Sequence, residues 1–153
     1  MTLSERMACV RSKDTGPEMA VRRLLYALGY RYRLHVTKLP GTPDLVFASR
    51  RKVVFVHGCF WHQHPGCRHA HLPRANPDYW HRKLKRNAER DAQAEAQLRM
   101  DGWDVLTVWE CETTNPTALS ETLVAYLGET ATSRHPDCEV QKGKGCFSRE
   151  KQP

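Results

Sequence analysis

No apolar run in the sequence approaches the length of a membrane span. The first fifteen residues, Met1 to Thr15, are polar and lack the apolar core of a secretory signal. The chain therefore reads as a soluble cytoplasmic protein with neither a helical anchor nor an export leader. No internal repeat is present, which argues against a solenoid or propeller. Acidic residues are in deficit: 17 Asp and Glu face 24 Lys and Arg, a net charge of +7 with histidines neutral, and the pI is about 9.3. A basic surface favours a phosphate-bearing partner, although net charge alone fits a merely soluble basic domain equally well. The 153 residues suffice for one domain with a real core. Cysteine is not scarce. Six are present, and without an export signal metal binding is a better expectation for some of them than disulfides.

Periodicity and punctuation outline a mixed α/β chain. Thr15-Gly16-Pro17-Glu18 reads as a helix start, with Thr15 as cap and Glu18 three residues later. Leu24, Leu25 and Leu28 continue its apolar face and Gly29 ends it. The alternation from Tyr30 to Val36 predicts a half-buried strand. Leu39 to Pro43 is a loop. Asp44 to Ala48 and Lys52 to His57 are short strands, close enough for an antiparallel hairpin. Gly58 to Pro77 is a long irregular loop, and such loops in compact domains are usually functional or tied by a metal. Asp78 to Met100 is a long helix with Arg82, Lys83, Lys85, Arg86 and Arg90 in or near its first half. Asp104 to Trp109 is a fourth strand, reached by a crossover helix and so expected to lie parallel to the third. Thr117 to Leu127 is the last helix. The expected division is an arm at 1–15, one domain at 16–128, and a flexible Lys/Gly-rich tail at 129–153 that holds Cys138 and Cys146.

The densest chemistry lies in Val56-His57-Gly58-Cys59-Phe60-Trp61-His62-Gln63-His64-Pro65-Gly66-Cys67. Thiolate and imidazole together favour zinc, which takes four such ligands in a tetrahedron. Cys59, His64 and Cys67 are close in sequence. The fourth ligand comes from Cys111, or from His62, His69 or His71. Cys111 is favoured by topology: Cys59 follows the third strand and Cys111 the fourth, so parallel strands bring both to one sheet edge. Four protein ligands leave no open position, which makes this zinc structural.

A second constellation starts at Asp44. An acid opening one hairpin strand lies opposite the end of the other, so Asp44, the Val56 carbonyl and His57 are expected around one point. Carboxylate and carbonyl oxygens suit a hard cation such as magnesium. Taken singly, each residue has an equally good structural explanation: Asp44 as a turn carboxylate, His57 as a strand-end histidine, Glu18 as half of a capping box.

Taken together, Pro43-Asp44, the segment from Val56 to His62, the closure Trp109-Glu110-Cys111, Arg11-Ser12-Lys13-Asp14-Thr15 and Asn87-Ala88-Glu89-Arg90-Asp91 resemble the very-short-patch-repair (Vsr) mismatch endonucleases. The resemblance runs from about Met7 to Leu127. It implies a restriction-endonuclease-like core and magnesium-dependent nicking 5′ of the thymine in T:G mismatches left by deamination of 5-methylcytosine. By position it implies Asp44 as the main magnesium ligand, with the Val56 backbone beside it. His62 becomes the general base or acid, and His57 and Glu18 support the water shell of the metal. Zinc falls on Cys59, His64, Cys67 and Cys111. Phe60 and Trp61 become wedges at the mismatch, and Met7 of the arm enters from the opposite groove. Most nucleases of this fold carry a second acid and a lysine on the strand after the aspartate. Here that stretch reads Val54-Phe55-Val56-His57-Gly58, a departure this family shares.

The expected partners are double-stranded DNA with a T:G mismatch and mismatch-repair proteins, and the chain is expected to act as a monomer at the bacterial nucleoid. Two other readings use the same residues: a zinc-stabilised DNA-binding module without catalysis, and a related nuclease acting on unmismatched DNA.

Overall fold

A computed structural model describes residues 2–130. The expected tail falls outside the described residues from position 131 onward, as do Cys138 and Cys146. Four helices and four strands make up the fold: α1 (Leu3–Ala8), α2 (Gly16–Ala27), β1 (Arg33–Leu34), β2 (Leu45–Phe47), β3 (Lys52–His57), α3 (Pro77–Met100), β4 (Asp104–Trp109) and α4 (Pro116–Leu127). The sheet order is β1-β2-β3-β4. β1 and β2 are antiparallel, as are β2 and β3. β3 and β4 are parallel, as a crossover through α3 requires.

The two-residue period of the strands divides the core between the sheet faces. Leu45, Phe47, Val54 and Val108 pack with Val21 and Leu25 of α2 and Leu119 and Leu123 of α4. Val46, Val53, Phe55 and Val105 pack with Leu98 of α3. Helices therefore cover both faces in three layers. Leu25, Leu98 and Leu123 are fully buried, each contributing roughly 1.5–3 kcal/mol relative to exposure.

One sequence expectation needs correction. The strand expected over Tyr30 to Val36 is reduced to Arg33–Leu34, and on its C-terminal side it stops where His35 turns into the left-handed region at φ +46°. The arm carries a short helix that the sequence reading did not mark. Thr2 and Glu5 form a reciprocal capping box that starts the six-residue α1. Thr15 caps α2 by accepting from the Glu18 N–H at 3.4 Å, but the Glu18 side chain turns inward and is 1% exposed. Gly41 lets the loop before β2 pass against α3. Its φ is +73°, and a Cβ there would stand 2.7 Å from Cβ of Ala94, a clash no side chain tolerates. That close passage delivers Asp44 to the head of β2.

Candidate active site and metal centre

Strand register builds the metal centre. His57 of β3 faces Trp109 of β4, so Cys59 and Cys111 each lie two residues beyond a matched pair, at one edge of the sheet. The loop after β3 folds back on itself. The N–H of His64 donates to the Cys59 carbonyl at 2.9 Å and that of Cys67 to the His64 carbonyl at 3.2 Å. Cys59, His64, Cys67 and Cys111 consequently offer four ligand atoms within 4.8 Å of one another. Nδ1 of His64 lies 3.5 Å from Sγ of Cys111 and 3.7 Å from Sγ of Cys59. A tetrahedral zinc with Zn–S of about 2.3 Å and Zn–N of about 2.0–2.1 Å separates S from N by about 3.5 Å. The donor set therefore fits zinc in chemistry and spacing. Burial pushes the Cys59 thiol up to about 12, so a thiolate at neutral pH needs a cation beside it. His69 and His71 are exposed and stand outside this group, with Nδ1 of His71 at 3.2 Å from the Arg68 carbonyl.

The acid and histidine cluster lies beside the zinc corner. Leu45 pairs with Val54, so Asp44 is carried opposite Phe55, near the end of β3. The Val56 N–H donates to Oδ2 of Asp44 at 2.7 Å. In an extended strand the N–H and C=O of one residue point to the same side, so the Val56 carbonyl shares that edge. Burial pushes the Asp44 carboxyl up to about 6, the Val56 N–H opposes the shift and the nearby Glu18 charge adds to it. A cation there would reverse the effect.

His57 stacks on His62 with ring centres 3.8 Å apart and planes 8° from parallel. Burial, then the neighbouring His62, pulls His57 down to about 4, which keeps it neutral at physiological pH. Nδ1 of His62 lies 2.5 Å from Oδ2 of Asp91 on α3, leaving Nε2 as its free nitrogen. A carboxylate on one imidazole nitrogen fixes the tautomer and orientation of the other. Glu18, at the head of α2, pairs with Nε2 of His35.

Asp44, Val56, His57, His62, Asp91 and His35 line a cleft of about 930 Å³ that also receives Met7, Arg11 and Lys13 of the arm, while Glu18 lies buried behind His35. Phe60 and Trp61 are half-buried. They pack edge-on to each other at 5.1 Å, and both touch Trp80 of α3, at 5.3 and 5.9 Å. Trp109 lies flat on His64 at 4.3 Å and edge-on to His57 at 5.5 Å. One run of rings thus joins the metal corner to the histidine pair.

Sequence reasoning did not single out His35 or Trp80, and it quoted Asn87 and Asp91 only within the motif that carries the resemblance, without a role for either. A signal existed for three of them. Trp80, Leu84, Asn87, Asp91, Ala94 and Leu98 follow one another at steps of four and three, the spacing of a single helix face. Trp80, Leu84 and Leu98 are buried, so Asn87 and Asp91 are polar interruptions of an inward stripe. Asn87 donates to the Trp61 carbonyl at 2.9 Å and Asp91 holds His62.

The family profile described as DNA mismatch endonuclease Vsr matches residues 1–68. The chain is 56% identical to type II nicking enzyme V.XorIIP of Xanthomonas oryzae over 117 residues, 76% of this chain and 85% of that one. It is 42% identical to type II nicking enzyme V.NmeAIP of Neisseria meningitidis over 80% of this chain and 87% of that one. It is 37% identical to DNA mismatch endonuclease Vsr of Escherichia coli over 139 residues, 87% of this chain and 88% of that one. With relatives this similar over most of their length, the chain belongs to the Vsr family of DNA mismatch endonucleases and is a DNA endonuclease.

Proposed function

We propose that this endonuclease nicks duplex DNA 5′ of the thymine in T:G mismatches arising from 5-methylcytosine deamination, using magnesium for catalysis and zinc for structure. One observation carries the reading. Asp44, His57 and the His62–Asp91 pair line the same cleft as Trp61, whose ring packs with Phe60 and Trp80. A recognition wedge and a hydrolytic group are thereby held in fixed register.

The roles follow from the chemistry of each group. Magnesium bound at Asp44, with the Val56 carbonyl beside it, would offset charge growing on the phosphoryl and leaving 3′ oxygens and favour hydroxide formation. His62 moves the accompanying proton through Nε2, while Asp91 holds its ring from the other side. His57, neutral and buried, supports the ring of His62 from its face, and Glu18 supplies an acceptor for the water shell of the cation. Phe60 and Trp61 part the bases next to the mismatch, where unstacking costs least. Met7 meets the duplex from across the cleft. Arg82, Lys85, Arg86 and Arg90 are exposed along α3 and, with the half-buried Lys83, would contact phosphates. The partial identity to proteins named type II nicking enzymes supports single-strand cutting.

The test is direct. The protein, zinc-loaded, is incubated with magnesium and end-labelled duplexes, matched or carrying one T:G pair. Nicking confined to the T:G duplex, at the 5′ side of the thymine, is expected. Cutting both duplexes alike would favour a nuclease of another target, and cutting neither would favour a binding module.

A further inference from the structure

Carboxylates crowd the cleft: Asp14, Asp44, Asp91, Glu95 and Glu110 all line it, and a DNA phosphate would bring further negative charge. The strands flanking Asp44 supply no cation to offset it. β2 and β4 carry neither Lys nor Arg, and Lys52, the one such residue of β3, donates to the Tyr126 carbonyl at the end of the strand remote from His57. The cations lining the cleft are Arg11 and Lys13 of the arm and Lys83 and Arg90 of α3. Arg90 donates to Oδ1 of Asn87 at 2.6 Å and Asn87 to the Trp61 carbonyl, which places Arg90 on the aromatic side. Lys83 lies one turn before Asn87 on the same face of α3. Lys13 lies elsewhere, because its neighbour Asp14 is anchored beside Asp44. Asp14 sits in the left-handed region at φ +53° and accepts from Nη1 of Arg22 at 2.6 Å. Its carboxylate, Glu18 and His35 bring ligand atoms within 4.8 Å of one another, and the His35 N–H donates to the Asp44 carbonyl at 3.2 Å. The base of the arm is thus fixed at the head of β2. Lys13 itself is exposed, makes no ion pair among the described residues, and lines the same cleft as Asp44, His57 and His62. Arg11 stands two residues closer to Met7.

From this placement we infer that Lys13 is a further catalytic residue, whose ammonium contacts a non-bridging oxygen of the scissile phosphate. Catalysis of phosphoryl transfer is almost entirely positioning and electrostatic stabilisation, and the charge to be stabilised is spread over those oxygens. A four-carbon stem rooted at a fixed point lets the ammonium meet the phosphate once the duplex is seated. The inference rests on the proposed role of Asp44 at that phosphate and adds a cation that the sheet does not provide.

Two substitutions isolate the charge. Lys13→Met keeps an unbranched stem and removes the ammonium, and Lys13→Arg keeps a cation. Each zinc-loaded protein is assayed with magnesium in single turnover, protein in excess, on whichever of the matched and T:G duplexes the parent nicks. Duplex binding is titrated separately at several salt concentrations. Lys13→Met should lower the saturated single-turnover rate by about 10²–10³-fold. Its binding should change by no more than one phosphate contact, a shift of about 0.9 in the salt slope. Lys13→Arg should retain most of the rate. A parental saturated rate in Lys13→Met, or a deficit that excess protein removes, would overturn the inference and leave Lys13 a binding contact. A loss in Lys13→Arg as large as in Lys13→Met would overturn it too. Asp44→Asn in the same assay keeps the two readings apart. If Asp44→Asn is inert and Lys13→Met fully active, the inference alone fails. If Asp44→Asn nicks at the parental rate, the reading of Asp44 fails, and Lys13 is still judged by its own rate.

Discussion

The two halves of the segment from Val56 to Cys67 make opposite kinds of site. At the zinc corner, Cys59, His64, Cys67 and Cys111 are complete within the chain, four donors for a four-coordinate ion. At the acid corner, the chain leaves its groups uncompensated. Asp44 is buried with its carboxyl pushed up to about 6, His57 is buried neutral, and Glu18 keeps an orphan oxygen. On the proposed reading, the first corner stabilises the fold, and the second would cost stability until a cation and a phosphate complete it, the usual exchange of stability for function at a reactive site. The ring run His64, Trp109, His57, His62 joins them, so rigidity gained at one corner is available at the other.

The sharpest way to break this contrast is to damage each corner alone. His62→Ala should slow T:G nicking by about 10²–10⁴-fold, the usual worth of a general acid or base. Its zinc content and melting temperature should stay parental, as metal analysis and thermal unfolding would show. Cys111→Ser should do the reverse at source: it loses zinc and, with it, more than about 4 kcal/mol of stability, read as a lowered denaturation midpoint. A Cys111→Ser protein with full zinc would remove Cys111 from the centre. Asp91→Asn keeps size but not charge, and should lower the nicking rate by about 10–100-fold, as loss of an orienting partner does, without changing DNA affinity in a binding titration.

The smallest effect concerns stability and pH. A carboxyl raised in the folded state contributes stability that is present below its unfolded value and lost as pH rises through the folded value. For Asp44 that window runs from about 4 to about 6. Magnesium-free Asp44→Asn should therefore be more stable than the parent at pH 8, by on the order of 3 kcal/mol, and little different near pH 4. His57 works with the opposite sign. Its depressed folded value makes stability fall as pH drops from about 6.5 towards about 4. Added magnesium should shrink the advantage of Asp44→Asn, and an unchanged gap would argue against a cation at Asp44.

Sequence alone showed these corners unequally. The cluster of Cys59, His64, Cys67 and Cys111, which could hold a metal, was legible because soft ligands cluster and because parallel pairing of β3 with β4 follows from a crossover helix, which puts Cys59 and Cys111 at one edge. β4 was legible to the residue, and β3 likewise, since buried apolar runs bounded by turns have few other fates. β1 was not: alternation of Tyr and Arg from Tyr30 to Arg33 mimics a strand, and on its C-terminal side the strand stops where His35 turns left-handed. Alternatives for Glu18 stayed open because Thr15-x-x-Glu18 is also a capping box, and only the inward turn of the side chain decides between them. Asp91 and His35 act on residues 29 and 17 positions away, a relation that no local pattern states, although the interrupted stripe of α3 marks Asp91.

The account turns on the separation of the two corners. Nicking of a T:G duplex by zinc-loaded Asp44→Asn protein tests it most directly. The expected result is full zinc occupancy, a folded chain that still binds the duplex, and no nicking at any magnesium concentration. Nicking by Asp44→Asn at the parental rate would contradict it.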